Sequence, residues 1–134
     1  MSITSFEIVS IPVSDQEGAK AFYRDILGFE VLQDEPMGPD TRWIQLAPAG
    51  CATTVSLVTW FEAMPPGGLQ GVMLNVTDIE ADHASLSARG LPLSEIREEP
   101  WGRYAQFADP DGNGWILRQA PPEPAAPSAP PEPA

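Results

Sequence analysis

The chain has one cysteine, one histidine and only seven basic residues. A single cysteine, Cys51, excludes an intramolecular disulfide and a thiolate metal cluster within one chain. The formal net charge of −12 disfavours nucleic-acid binding, because phosphates are neutralised by clustered Lys and Arg. No apolar run reaches membrane-spanning length, and the amino-terminal residues lack the basic start and apolar run of a signal peptide. These absences predict a cytoplasmic protein that binds neither nucleic acid nor membrane.

The carboxy-terminal segment 121–134 lacks the side chains that form a core. Seven of its residues are Pro and four are Ala, with two Glu and one Ser. Such a composition predicts a disordered Pro/Ala-rich tail. Residues 1–120 are then long enough for one compact domain.

The remaining sequence contains the same pattern twice. Val13-Ser14-Asp15 begins an amphipathic helix that ends at Gly28, and Val76-Thr77-Asp78 begins a second helix that ends at Gly90. Alternating apolar and polar residues predict strands around both helices. The order of strand, helix and three strands therefore occurs twice. The two predicted modules span about residues 4–63 and 69–120.

Two motifs resemble those of the vicinal-oxygen-chelate superfamily, which includes glyoxalase I, bleomycin-resistance proteins and extradiol dioxygenases. The first is Val13-Ser14-Asp15 followed by the segment 21–29, and the second is Asp109-Pro110-Asp111-Gly112-Asn113. The resemblance covers roughly residues 6–119. It implies an α+β fold in which two βαβββ modules form a cupped, eight-stranded mixed sheet with helices on the outer face. It also implies a homodimer.

The same resemblance locates the positions that hold a divalent metal in the superfamily's enzymes, where they are His, Glu or Gln. In this chain the four positions are occupied by Ile8, Ser56, Gly71 and Ile116. Isoleucine and glycine side chains have no donor atom for a metal. The alignment therefore predicts no metal and no cofactor, which weakens the case for glyoxalase or dioxygenase activity.

Two further features favour structural interpretations. Asp109–Gly114 opens like a calcium-binding loop, but Ala120 stands where such a loop has its glutamate, so the segment is interpreted as a hairpin turn. His83 lies on the apolar side of the second predicted helix, which is typical of a packed structural histidine.

Strand alternation predicts which side chains line the concave face of the implied sheet. Trp101 precedes a strand and is placed at the mouth of the cavity. The predicted ligand-binding residues are Ser10, Trp43, Gln45, Ser56, Trp60, Met73, Asn75, Trp101, Tyr104, Gln106 and Arg118. This surface is aromatic and polar, with one cation and no evident general base. Such walls suit stacking and hydrogen bonding to a planar or amphipathic organic molecule.

Two functions fit these observations. The first is a metal-free small-molecule-binding protein of the glyoxalase/bleomycin-resistance type, with drug sequestration or resistance as its role. The alternative is a glyoxalase-like lyase or dioxygenase-type enzyme with a non-standard active site. Its candidate acids and bases are Glu7, Glu95, Glu98 and Glu99. The sequence favours binding without catalysis, and it identifies neither the ligand nor a catalytic residue.

Overall fold

The computed structural model describes residues 1–122 and contains two compact units, each with a four-stranded sheet. The first unit comprises Met1–Gln70 and Asp109–Asn113, and the second comprises Gly71–Ala108 and the chain from Gly114. The predicted tail lies outside the described residues, apart from Pro121 and Pro122. Within residues 1–122, no helix is both long enough and apolar enough to cross a membrane.

The first unit follows the predicted order of strand, helix and three strands. Its elements are β1 (Ile8–Pro12), α1 (Gln16–Ala21), β2 (Glu30–Pro36), β3 (Arg42–Ala47) and β4 (Thr54–Val58). The strand order is β1-β4-β3-β2, with β1 parallel to β4 and the other neighbours antiparallel. Helix α1 packs near β3 and β4, and it continues as a π-helical turn over Phe22–Ile26.

The second unit repeats this topology. Its elements are β5 (Val72–Asn75), α2 (Ile79–Ala88), β6 (Arg97–Glu99), β7 (Gly102–Ala108) and β8 (Gly114–Gln119). The strand order is β5-β8-β7-β6, and β5 is parallel to β8. Strands β7 and β8 form an antiparallel pair, which confirms the hairpin turn predicted between them. The two βαβββ modules of an α+β fold are therefore present.

Both helices begin where the sequence predicts. Helix α1 ends at Ala21, its π-helical continuation ends at Ile26, and α2 ends at Ala88, two residues before Gly90. The Asp15 carboxylate accepts a hydrogen bond from the Gly18 backbone N–H at 3.2 Å, and Asp78 accepts one from Ala81 at 3.1 Å. These aspartates satisfy N–H groups that have no partner in the first helical turn. Gly28, two residues after the π-helical turn, has a φ of +78°, a left-handed conformation that glycine adopts without a steric penalty.

Each sheet buries the face that its own helix covers. In the first unit, Ile44 and Leu46 of β3 and Leu57 of β4 are fully buried. In the second unit, Trp115 and Leu117 of β8 are 1% and 3% exposed. The side chains that alternate with these residues lie on the other face of each sheet. That second face carries the predicted binding residues.

An ion-pair network links α1 to strands β2 and β3. Asp34 accepts hydrogen bonds from Lys20 Nζ at 2.6 Å and from Arg42 Nε and Nη2 at 3.0 and 2.6 Å. Arg42 Nη1 also donates to Glu17 at 2.7 Å. The hydrogen bonds from Arg42 and then Lys20 lower the pKa of Asp34 from 3.8 to about 2.

We expect this network to make the fold sensitive to acid in a defined interval. The folded-state pKa of Asp34 lies below its ordinary value, so its contribution is present above pH 3.8 and is lost as the pH falls to about 2. Asp34→Asn should lower the free energy of unfolding at neutral pH by about 1 kcal/mol. It should also flatten the dependence of stability on pH across that interval, as measured by urea denaturation.

The matched control for this experiment is Asp40→Asn. Asp40 is exposed and forms no ion pair within residues 1–122, so its replacement removes one carboxylate without breaking the network. We expect this variant to keep the stability and pH dependence of the wild type. An unchanged pH dependence in Asp34→Asn would contradict the role assigned to the network.

Candidate functional site

A row of polar side chains crosses the first sheet on the face opposite α1. Ser10 of β1 is aligned with Ser56 of β4, and Ser56 is aligned with Gln45 of β3. Residues aligned across neighbouring strands project from the same face of a sheet. The structure therefore brings together three of the residues that strand alternation selected.

Ser56 is the unusual member of this row. It is completely buried, and its Oγ atom has no hydrogen-bond partner within residues 1–122. Buried hydroxyl groups nearly always have a partner from the protein or from ordered water. The Ser56 hydroxyl therefore has a hydrogen-bonding capacity that no described residue uses.

A tryptophan pair lies in the same unit. The rings of Trp43 and Trp60 are stacked, with centroids 6.4 Å apart and an interplanar angle of 28°. Trp43 Nε1 donates a hydrogen bond to Gln45 Oε1 at 3.1 Å, and Gln45 Nε2 donates to Thr54 Oγ1 at 2.9 Å. These bonds orient the Trp43 ring, because both ends of the Gln45 amide are held. The result is a fixed aromatic surface beside the polar row.

The second sheet presents two rows on the face opposite α2. The first row consists of Met73, Ile116 and Gln106, and the second consists of Asn75, Arg118, Tyr104 and Arg97. All seven side chains are half-buried or exposed, whereas the opposite face buries Ala105, Phe107, Trp115 and Leu117. Five of them were predicted from the sequence. Arg97 was missed because its strand β6, with the sequence Arg-Glu-Glu, has no apolar alternation to reveal it.

Arg118 organises the aromatic part of this second face. Its Nε atom donates to the backbone oxygen of Trp101 at 2.9 Å, and Nη1 donates to Asn75 Oδ1 at 3.3 Å. The Trp101 ring stacks on Tyr104, with centroids 4.9 Å apart and an interplanar angle of 25°. The structure thus joins Asn75, Trp101, Tyr104 and Arg118 into one cluster.

The positions aligned with the superfamily's metal ligands do not fit a divalent metal. Ser56 offers one hydroxyl oxygen, while Ile8, Gly71 and Ile116 offer no side-chain donor. In the part of the chain that the structure describes, no group of three or more His, Cys, Asp or Glu side chains is arranged to hold a metal.

The other candidates for chemistry lie at the surface or are engaged in the fold. Glu7, Glu95, Glu98 and Glu99 are all exposed. His83 is half-buried, and its Nε2 lies 2.8 Å from the Ser94 carbonyl oxygen, consistent with a structural histidine.

A groove of about 360 Å³ at the ends of β6, β7 and β8 is lined by residues outside the predicted site, including Glu98, Glu99 and Arg103.

Together, the repeated βαβββ modules and the polar, aromatic faces define a protein of the glyoxalase type without the metal-binding residues. The chain belongs to the Glyoxalase/Bleomycin resistance protein/Dioxygenase superfamily, whose family pattern matches residues 5–117. The family resemblance and the α+β fold of two βαβββ modules are therefore confirmed.

Three proteins are similar to this chain over most of its length. TnmS3, an antibiotic binding protein from Streptomyces sp. CB03234, is 47% identical with a TM-score of 0.86, over 90% of this chain and 99% of TnmS3. A glyoxalase/bleomycin resistance protein from the same organism is 49% identical with a TM-score of 0.77, over 86% of this chain and 100% of that one. The uncharacterized protein YetH of Bacillus subtilis (strain 168) is 34% identical over 115 residues, which is 83% of this chain and 94% of YetH.

Proposed function

We propose that this protein binds an aromatic or amphipathic small molecule and releases it chemically unchanged. The observation that carries the proposal is the Trp43–Trp60 stack in the same unit as the buried, unpartnered Ser56 hydroxyl. An aromatic pair contributes about 0.5–1.5 kcal/mol beyond the burial of its area. The hydroxyl adds a directional hydrogen bond, which gives the surface selectivity as well as affinity.

The second unit carries a surface of the same kind. Trp101 and Tyr104 offer a second stacked aromatic surface, and Asn75, Gln106 and Arg118 offer polar groups that are not fully buried. The similarity to an antibiotic binding protein supports a drug-like ligand and a role in sequestration or resistance. A cytoplasmic location and a homodimer belong to the same proposal, and cell fractionation and light scattering test them.

The absence of catalysis is proposed from the residues themselves. Three of the four positions aligned with the superfamily's metal ligands carry no donor atom, and the candidate carboxylates Glu7, Glu95, Glu98 and Glu99 are exposed. A general base must reach the proton that it removes. These residues therefore favour binding without catalysis. The binding experiments also detect a lyase or dioxygenase activity, because each would change the mass of the probe.

The function is tested with Ser56→Ala and a neutral planar probe, anthracene-2-carboxamide. Removing an unpartnered buried hydroxyl should leave the free energy of unfolding unchanged or raise it by about 1 kcal/mol. The same change should weaken probe binding about fivefold, because the hydroxyl's hydrogen bond to the ligand is lost. Affinity is measured by quenching of tryptophan fluorescence, and stability by thermal denaturation.

The control variant is Ser87→Ala, which removes an exposed hydroxyl from α2. We expect it to change neither affinity nor stability. Mass spectrometry of the recovered probe should show only the starting compound. A product of different mass would contradict binding without conversion, and unaltered affinity in Ser56→Ala would remove Ser56 from the site.

A further inference from the structure

Arg97 and Arg118 form no ion pair with any carboxylate within residues 1–122, although the whole chain carries a formal net charge of −12. Most other basic side chains of the chain are paired. The paired ones are Lys20, Arg24, Arg42 and Arg103. Arginines that stay unpaired in so acidic a chain are available to a negative group from outside it.

These two arginines lie on one face of the second sheet. Tyr104 is aligned with Arg118 on one side and with Arg97 on the other. The two Cα positions are thus separated by two strand spacings, about 10 Å. Long arginine side chains can span much of that distance, so both guanidinium groups can approach a molecule lying on Tyr104 and Trp101.

The guanidinium of Arg118 has N–H donors that the described residues do not use. It has five N–H groups, of which one contacts the Trp101 carbonyl and one contacts the Asn75 amide oxygen. Its other N–H groups have no acceptor within residues 1–122. The two bonds hold the group in place beside the Trp101–Tyr104 stack, which prepares it for a planar anion.

The neighbouring carboxylates do not neutralise this pair. Glu98 projects from the other face of β6, where it lies 3.4 Å from Arg103 Nε. Glu99 shares the face of Arg97 but is aligned with Gly102, and it forms no ion pair with either arginine. The interaction of these arginines with more distant acidic groups is largely screened beyond about 10 Å at an ionic strength of 0.1 M. A direct contact between a guanidinium group and a ligand anion is screened much less, because the two charges are closer than that distance.

We propose that the second sheet recognises the anionic group of a planar aromatic acid, with the ring on Trp101 and Tyr104 and the carboxylate on Arg118, assisted by Arg97. This inference rests on the proposed function and specifies its ligand class. It runs against the overall charge of the protein, which by itself would favour a cationic ligand. Arg118 and Arg97 are therefore the residues that determine specificity for charge.

The experiment compares anthracene-2-carboxylate with anthracene-2-carboxamide, which have the same ring and differ in charge. The wild-type protein should bind the carboxylate about tenfold more tightly, equivalent to about 1.4 kcal/mol. Arg118→Gln should abolish this preference and Arg97→Gln should reduce it about threefold, whereas Arg118→Lys should keep part of it. The ratio of the two affinities is the readout, because a displaced Trp101 would weaken both compounds equally.

Arg24→Gln is the matched control, since it removes an exposed arginine from the first unit with the same change in net charge. It should leave the ratio unchanged. Equal binding of the two compounds by the wild type would overturn the anion site and leave the proposed function standing. Binding of neither compound would contradict both, and a ratio that survives Arg118→Gln would overturn the role of that residue.

Discussion

Asp109→Ala should lower the free energy of unfolding by about 4 kcal/mol, the largest stability effect expected in this chain. The Asp109 carboxylate is 5% exposed and accepts hydrogen bonds from Tyr23 Oη at 2.6 Å and from the backbone N–H groups of Asp111 and Asn113, both at 2.9 Å. The Asn113 side chain donates to it as well, at 2.8 Å. Its removal breaks four hydrogen bonds to a charged, buried group. Urea denaturation measures the loss.

The same cluster explains why the loss should extend beyond the turn. Asn113 is completely buried, and its Nδ2 also donates to the carbonyl of Pro12 at 2.8 Å, while its Oδ1 accepts from the backbone N–H of Leu69 at 3.1 Å. The turn therefore fastens the end of β1 and the end of the 1–70 segment within the first unit. Without Asp109, the Asn113 side chain loses one of the hydrogen bonds that position it for its contacts with Pro12 and Leu69.

Asp111→Ala is the control within this turn. Asp111 accepts hydrogen bonds from Ser14 Oγ at 2.7 Å and Ser14 N at 3.1 Å, but this contact is exposed. Its removal should cost about 1 kcal/mol. Equal losses for the two aspartates would contradict the central position assigned to Asp109.

Trp60→Ala should weaken binding of anthracene-2-carboxamide about thirtyfold, the largest expected effect on affinity. The substitution removes the ring that stacks on Trp43 and leaves Trp43 without its aromatic neighbour. Trp60→Phe should retain part of the affinity, because a smaller ring still stacks. The Trp43→Ala and Trp60→Ala effects should add up to more than the effect of the double variant, since the two rings act together. Isothermal titration calorimetry measures the affinities of the wild type and of the four variants.

Phe6→Ala provides the comparison for these tryptophans. Phe6 is an aromatic side chain with 80% of its surface exposed, and it lies outside the predicted site. Its removal should leave affinity unchanged. Affinity that is insensitive to both Trp43 and Trp60 would move the site elsewhere in the protein.

Local signals in the sequence were sufficient for the helices and for most of the strand faces. Asp15 and Asp78 cap their helices as predicted, since capping depends on residues only three positions apart. The rows Ser10–Ser56–Gln45 and Asn75–Arg118–Tyr104 follow from alternation along strands. The joining of both sheets into one cup stays a prediction from the family resemblance.

Features that depend on distant contacts could not be predicted in this way. The Asp109–Asn113 segment has the composition of a turn, but its buried contact with Tyr23 joins residues 86 positions apart. The missing partner of Ser56 is likewise a property of the packed structure. Arg97 was not predicted because a charged strand of three residues has no periodic pattern of apolar residues.

Native mass spectrometry of the protein with anthracene-2-carboxylate and anthracene-2-carboxamide tests the central claim of ligand binding without conversion most directly. Complexes of the protein with both compounds are expected, the carboxamide complex weakened in Trp60→Ala, and each compound should be recovered with its original mass. Absence of any complex, or recovery of a compound with an altered mass, would contradict the claim.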